Sequence, residues 1–255
     1  MKKVNIIGYG FVGQATAIGL KRLGYDVTAY DIATKKNIYG EKDFEEIPLV
    51  VSQELPDSGI HIVCIADKFL ADGCQKIEHI VRVLDKLWNK ENILILRTTI
   101  LPRLLTGLKF DFYWPEFLRE RTAIEDFLNP KMIVVGRRKK EKFPFEEHFN
   151  PAYYCLSEEA SHIKYLSNIW NGMRIAFVNE FGDNLTEDGI KKEAILDFFF
   201  KEKKYLKWGN AYRGHCLPKD TQAYFKEYPH LLFLFSTVKA NEIHQKKYPN
   251  LNSIY

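Results

Sequence analysis

Apolar residues follow two rhythms along this chain. As far as about residue 150 they gather in short runs: Val4–Ile7, Asp26–Tyr30, Ile60–Ile65, Ile93–Leu96, Phe110–Tyr113 and Met132–Val135. Runs of this length predict strands buried on both faces, and helical spacing separates several of them, over Ala15–Leu20 and over 74–88. Alternation of strand and helix predicts a mainly parallel sheet covered on both sides. From Glu158 the spacing changes. Ile163, Leu166, Trp170, Met173 and Phe177 recur at intervals of three and four, with no proline, to about Leu185. This predicts one long helix with Ser157 as its N-cap. Further helices are expected over 191–203, 219–227 and 230–247, with the segment 214–220 as a loop between two of them. The shift in composition at 150–157 sets the expected boundary, between a domain at 1–156 and a helical domain at 157–255.

The first strand opens directly into Gly8-Tyr9-Gly10-Phe11-Val12-Gly13, then a helix that Gly24 ends, then a second strand closed by Asp31. Each part has a physical job. Gly8 permits a tight turn, Gly10 lets backbone approach a pyrophosphate, and Gly13 allows close packing of helix on strand. Unpaired N–H groups at the helix start face the phosphates. An acid at Asp31, about twenty residues on, accepts from ribose hydroxyls and repels a 2′-phosphate, which favours NAD over NADP. Gly8, Tyr9, Gly10, Phe11, Val12, Gly13 and Asp31 are therefore the expected cofactor contacts of a Rossmann-type domain. The fold class is α/β, this domain being followed by an all-helical one. Ligands of such sheets lie beyond the carboxyl ends of strands, where Arg97-Thr98-Thr99 and the segment after Trp114 fall.

Composition narrows the rest. The chain has 255 residues, 46% hydrophobic and 27% charged, as in ordinary globular proteins. Its aromatic share of 14% reads as core and interface filling. The net charge of +4 is scattered, and the densest basic run, 137–142, reads as a solvated turn, so no nucleic-acid partner is expected. The four cysteines show no metal-ligand spacing, no secretory signal is visible, and no apolar run approaches the ~20 residues that span a bilayer. No metal, no membrane association, and a cytoplasmic protein with free thiols are expected.

One cysteine stands apart. Cys216 lies in Gly214-His215-Cys216-Leu217-Pro218-Lys219-Asp220, with polar neighbours on both sides, whereas Cys64 sits in an apolar strand and reads as packing. Lys164 and Asn168, four apart, project from one face of the long helix; alone, such a pair reads as solvated. Five segments now stand in order: GYGFVG at 8–13, RTTILP at 97–102, PEFLRE at 115–120, IKYLSN…NE at 163–180 and GHCLPKD at 214–220. Their residues and order resemble the UDP-glucose/GDP-mannose (nucleotide-sugar 6-) dehydrogenases, and the likeness extends to Lys239-Ala240-Asn241-Glu242.

The resemblance implies oxidation of a sugar nucleotide's primary alcohol to a carboxylate by two NAD, through a cysteine adduct. It implies Cys216 as nucleophile, Lys164 and Asn168 as donors to the developing oxyanion, and Asp220 and Thr99 as holders of water. Glu116 matches the acid–base residue of thioester hydrolysis. Glu120 lies on the nicotinamide side. Lys219 faces a substrate phosphate or carboxylate and stands with Thr99 and Glu120 among the cofactor contacts. Glu116, Phe117, Leu118, Lys164, Asn168, Arg213 and Gly214 would line the sugar nucleotide, and the long helix would pair two copies in a homodimer. His215 and the remaining cysteines receive no role.

Departures from the family pattern are also visible. The family continues into a second nucleotide-binding-like domain, for which this sequence has no counterpart. Arg213 stands where a glycine is expected, Asp67-Lys68 replaces Thr-Pro, and Arg121 replaces a glycine. Arg213 would either contact a phosphate or block the sugar. The readings are thus a minimal nucleotide-sugar dehydrogenase, a two-electron hydroxyacid dehydrogenase, or a non-catalytic relative that binds NAD or a partner.

Overall fold

A computed structural model describes residues 3–70, 74–138, 142–201, 208–214 and 216–249. Its strands are β1 (Lys3–Ile7), β2 (Asp26–Asp31), β3 (Leu49–Val51), β4 (Ile60–Val63), β5 (Lys68–Phe69), β6 (Gln75–Lys76), β7 (Ile93–Leu96), β8 (Phe112–Tyr113), β9 (Val134–Arg137) and β10 (Tyr153–Leu156). Its helices are α1 (Phe11–Arg22), α2 (Asp43–Glu46), α3 (Glu78–Leu87), α4 (Pro102–Leu105), α5 (Ala123–Leu128), α6 (Ser157–Glu187), α7 (Lys192–Phe199), α8 (Cys216–Glu227) and α9 (Leu232–Lys247). Residues divide into two compact units, Met1–Lys68 with Gln75–Lys164, and Phe69–Cys74 with Tyr165–Tyr255. The division falls inside α6 rather than at its first residue, where the sequence marks a boundary.

The first unit holds an eight-stranded sheet in the order β10-β9-β8-β7-β4-β1-β2-β3. From β3 to β8 every pairing is parallel, with Val4 beside both Val27 and Ile60. Chain order runs outward in both directions from β1 and β4, so the crevice between their carboxyl ends is the switch point of a doubly wound fold. β9 then pairs antiparallel with β8, and β10 lies parallel to β9. The mainly parallel sheet expected from the periodicity is present.

Local chemistry explains the displaced ends. Asp111 leaves its predicted strand because its carboxylate accepts the Leu94 N–H at 2.9 Å, a side chain taking a ladder position. β3 and β10 escaped the periodicity because they are edge strands: Val50, Val51, Tyr153 and Leu156 are exposed and carry no buried pattern. Val4, Ile6 and Ala29 pack toward α1, while Ile7, Val63, Leu94 and Leu96 pack toward α3. The aromatic share fills this core. Trp114 meets Phe127, Phe143, Phe145 and Phe149 with ring centroids between 5.0 and 5.8 Å. Pairs of this kind contribute about 0.5–1.5 kcal/mol each beyond their buried area.

The second unit is helical. α6 starts where Ser157 predicts, and its run of Leu166, Trp170, Phe177 and Phe181 faces outward, each residue more than 40% exposed. The buried side instead carries Asn168, Asn179 and Asp183 among Ile175, Ala176 and Val178. α8 begins at Cys216, earlier than the expected 219. Pro218 is compatible with this start, because in the first turn of a helix its missing N–H has no intrahelical partner to lose. α7 covers the middle of the helix expected at 191–203, of which 202 and 203 lie outside the described residues. Among the described residues no helix is long and apolar enough to cross a membrane.

Candidate functional site

The glycine turn is built as its spacing predicts. Gly8 has φ 93°, and its N–H donates to the Tyr30 carbonyl at 2.9 Å. A Cβ on Gly13 would lie 2.0 Å from the Gly8 oxygen, so α1 approaches β1 closely enough to exclude any side chain. Gly10 differs: a Cβ there would meet nothing within 4 Å. As N-cap of α1, Gly10 supplies no side-chain cap, and its bare backbone faces open space. This is a cradle suited to an anion. Asp31 fastens the turn, accepting the Tyr9 N–H at 2.8 Å through one oxygen and the Ala33 N–H at 3.1 Å through the other, which also pairs with Lys35 at 3.1 Å. The Tyr9 ring is fully buried and stacks on Phe44, so only its backbone is available to a ligand. Phe11 and Val12 open α1 and are partly buried. Gln14, which no motif singled out, ties the turn to the following loop by donating to the Tyr9 and Lys36 carbonyls and accepting the Ile38 N–H.

β1, β2, β7 and β8 are parallel, so the glycine turn, Asp31, RTTILP and PEFLRE all emerge at one edge of the sheet. RTTILP is anchored at several points. The Gln75 amide donates to the Thr99 carbonyl at 2.8 Å and accepts the Leu101 N–H at 2.9 Å, while Asp67 holds that amide at 2.5 Å. Asp67, a departure from the family pattern, thus orients the residue that fixes Thr99. Ser161 of α6 donates to the Ile100 carbonyl at 2.6 Å. Thr99 itself is buried.

Glu116 and Lys164 form a buried ion pair at 2.9 Å, and the second carboxylate oxygen accepts the Leu118 N–H at 2.7 Å. Burial alone would raise the Glu116 pKa. Lys164, the Leu118 N–H and Arg97 outweigh it and hold the carboxyl below its usual range. Arg97 is itself buried, its guanidinium stacked 3.9 Å from the Trp114 ring centroid, with Nε and Nη1 making no hydrogen bond among the described residues. The Phe117 ring lies 5.4 Å from the Lys164 ammonium. Leu118 is partly buried, and Glu120 is exposed at the start of a 3-10 turn.

In the second unit Asn168 donates to Asp220 at 2.5 Å, and Lys219 pairs with the other Asp220 oxygen at 3.1 Å. Asp220 is 1% exposed, so its charge is compensated where water cannot reach it. Cys216 is exposed at the first residue of α8. Burial pushes the Cys64 thiol up to about 12 and the Cys155 thiol to about 11, which leaves them weak nucleophiles near neutrality. Gly214 has φ 83°, and exposed Arg213 donates to the Pro249 carbonyl at 3.1 Å. His215 and residues 139–141 of the basic run lie outside the described residues.

Residues 158–242 match the model described as the UDP-glucose/GDP-mannose dehydrogenase family, central domain. The resemblance is to the nucleotide-sugar 6-dehydrogenases. The matched span contains Lys164, Asn168, Cys216, Lys219 and Asp220. GDP-mannose 6-dehydrogenase of Pseudomonas aeruginosa is 24% identical over 281 aligned residues, covering 87% of this chain and 63% of that protein. UDP-glucose 6-dehydrogenase of Rickettsia felis is 28% identical, over 86% of this chain and 59% of that protein. The chain therefore spans about three fifths of the curated dehydrogenases it matches. Among solved structures, a UDP-glucose dehydrogenase from Pyrobaculum islandicum superposes with TM-score 0.80 at 23% identity, over 98% of this chain and 69% of that one. A UDP-D-ManNAc dehydrogenase from Pyrococcus horikoshii gives 0.81 at 18% identity, over 97% and 70%. These likenesses support the nucleotide-sugar dehydrogenase fold described above.

Proposed function

We propose that the chain oxidises the primary alcohol of a nucleotide sugar to a carboxylate, with NAD as cofactor; relatives that it matches are named GDP-mannose and UDP-glucose 6-dehydrogenases. The observation that carries this reading is the buried Glu116–Lys164 pair at 2.9 Å beside the carboxyl edge of the sheet. A dinucleotide-binding fold alone needs no such pair, whereas acyl chemistry at a thiol needs a base and a cation. The bare cradle at Gly10 and the acid at Asp31 fit NAD, which when bound supplies a hydride acceptor.

The chain's own residues do the rest. Loss of the hydroxyl proton and of a hydride, which NAD would accept when bound, turns the alcohol into an aldehyde. The Cys216 thiolate adds to the aldehyde carbon, a C–S bond forms, and the carbonyl π electrons pass to oxygen. A helix N-terminus favours the thiolate form needed for that attack. Lys164 and Asn168 donate to the oxyanion. Loss of hydride from this thiohemiacetal leaves a thioester. Glu116, held as carboxylate, takes a proton from water as the water attacks; the C–S bond then breaks and Cys216 departs as thiolate. Asp220 positions Asn168 and, with Thr99, holds water. Glu120 and Lys219 face the cofactor, and Phe117, Leu118, Arg213 and Gly214 line the sugar nucleotide. UDP-glucose and GDP-mannose are the candidate substrates. The exposed stripe of Leu166, Trp170, Phe177 and Phe181 on α6 supports a homodimer.

The test is to incubate the protein with NAD and each of these sugars, counting NADH and taking the mass of the Cys216 peptide. Two NADH per sugar with an acyl adduct on Cys216 are expected. One NADH per substrate, with Cys216→Ala still active, would overturn the reading in favour of a two-electron dehydrogenase. Light scattering that finds only monomer at micromolar concentration would remove the dimer.

A further inference from the structure

The approach to Cys216, from Trp208 to Gly214, has no helix or strand of its own, yet its backbone is gripped from two helices. From α6, Asn179 donates to the Asn210 carbonyl and accepts the Gly209 N–H, both at 2.9 Å. From α9, Asn241 accepts the Tyr212 N–H at 2.7 Å and donates to the Tyr212 carbonyl at 3.2 Å. His244, also of α9, sets Nε2 2.7 Å from the Gly209 carbonyl and Nδ1 2.7 Å from an Asp183 oxygen. The other Asp183 oxygen accepts the Trp208 indole N–H at 2.6 Å. All four side chains are buried. Packing alone asks for apolar residues at such places, because a buried polar group is costly unless it is paired. Among the described residues, these pairings go to one stretch of backbone, to the Trp208 indole that opens it, and to the group that orients His244.

We propose that Asn179, Asn241 and the Asp183–His244 pair are positioning residues for Cys216, holding the loop so that the thiol enters α8 in one place. This rests on the reading of Cys216 as nucleophile. None of the four needs to touch substrate, since each acts through the peptide groups leading to the cysteine. The two asparagines each bracket backbone with an amide, a two-point contact that fixes rotation as well as position. His244 adds a third point and is oriented by Asp183, as a ligand histidine is oriented by a carboxylate behind it.

Three substitutions separate positioning from packing. His244→Phe keeps a ring against Trp208 and Tyr248, now 5.7 and 5.0 Å away, and deletes both hydrogen bonds. Asn241→Asp sets a second carboxylate oxygen against the Tyr212 carbonyl. Asp183→Asn keeps a polar group at both contacts, the amide oxygen accepting from the Trp208 indole and the NH2 facing Nδ1. In the full chain, alkylation of Cys216 by iodoacetamide is followed by peptide mass spectrometry, alongside kcat and KM with NAD and the sugar. His244→Phe and Asn241→Asp are expected to lower kcat about 100-fold, the cost of a misplacement near 1 Å, with KM for NAD unchanged. Their Cys216 alkylation rate should shift about tenfold, since reactivity follows thiol environment. Asp183→Asn, which keeps hydrogen-bonding groups in both places, should shift both quantities less than the other two. Cooperatively folded variants that alkylate at the wild-type rate overturn the proposal, even if their melting temperatures fall. Should both fail to fold, Asn179→Ser decides on the same alkylation criterion. A wild-type protein that turns over no sugar would defeat the functional reading and leave the alkylation test of the loop standing.

Discussion

The glycine turn at 8–13 and the approach to Cys216 do comparable work by opposite means. Each sets a backbone stretch that a ligand or reacting atom must meet. The first is held within one strand–helix–strand unit: Gly8 bonds to the neighbouring strand, Asp31 at the end of that strand holds Tyr9, and α1 presses against β1 at Gly13. The second is held by side chains about thirty residues away in sequence, on α6 and α9. A locally built site tolerates change elsewhere and is written in one short motif. A site built from distant helices is exposed to substitution in any of them; Asn179 and Asn241 fall in segments that the sequence singles out, whereas Asp183 and His244 fall in none.

That contrast can be attacked at several points. The largest effect is expected from Cys216→Ser, with turnover lost by about 1,000-fold or more and NAD binding intact, read by steady-state kinetics and by fluorescence titration. Next comes Lys164→Met, which strands a buried carboxylate and should cost about 3–5 kcal/mol in urea denaturation. Glu116→Gln strands the buried Lys164 ammonium and should destabilise by a similar amount, while an acyl adduct accumulates on Cys216. The two glycines then divide. Gly13→Ala forces a Cβ onto the Gly8 oxygen and should destabilise by about 1–3 kcal/mol. Gly10→Ala, facing open space, should leave the melting temperature nearly unchanged and weaken NAD binding. If both behave alike, close approach is not what distinguishes them.

The smallest effect concerns pH. His61, fully buried opposite Asn5 in the sheet, is held below the ordinary histidine value of 6.5 by burial, which outweighs its bond with Asn92. The unfolded chain therefore binds a proton that the folded chain refuses, and stability should fall as pH drops below about 6.5. His61→Asn should flatten that part of the profile measured by thermal melts.

Legibility followed the same division. β1, α1, β2 and Asp31 were readable because a strand, a glycine turn and a helix follow one another without long-range help. The edge strands β3 and β10 were not, since half-exposed residues carry no run of apolar positions. α6 was read at its correct start, but of its evenly spaced apolar residues Leu166, Trp170 and Phe177 proved exposed, while Ile163 packs against the core. Asn168 looked solvated by its chemistry and is buried against Asp220, a partner that only the fold supplies. Gln75 and Asp67 belong to no motif, and neither residue type at those positions hints that one amide will span Thr99 and Leu101.

The reversal at β9 has a consequence for how the chain travels. Strands from β3 to β8 climb toward the edge where the glycine turn and Glu116 lie; β9 and β10 descend, so Leu156 ends at the opposite edge. α6 then starts from the bottom of the sheet and rises at 1.5 Å per residue, gaining about 10 Å by Lys164. That ascent delivers the ammonium level with Glu116. With β9 and β10 turned the other way, the same helix would set out from the top, and its lysine would be carried off from the acid it neutralises.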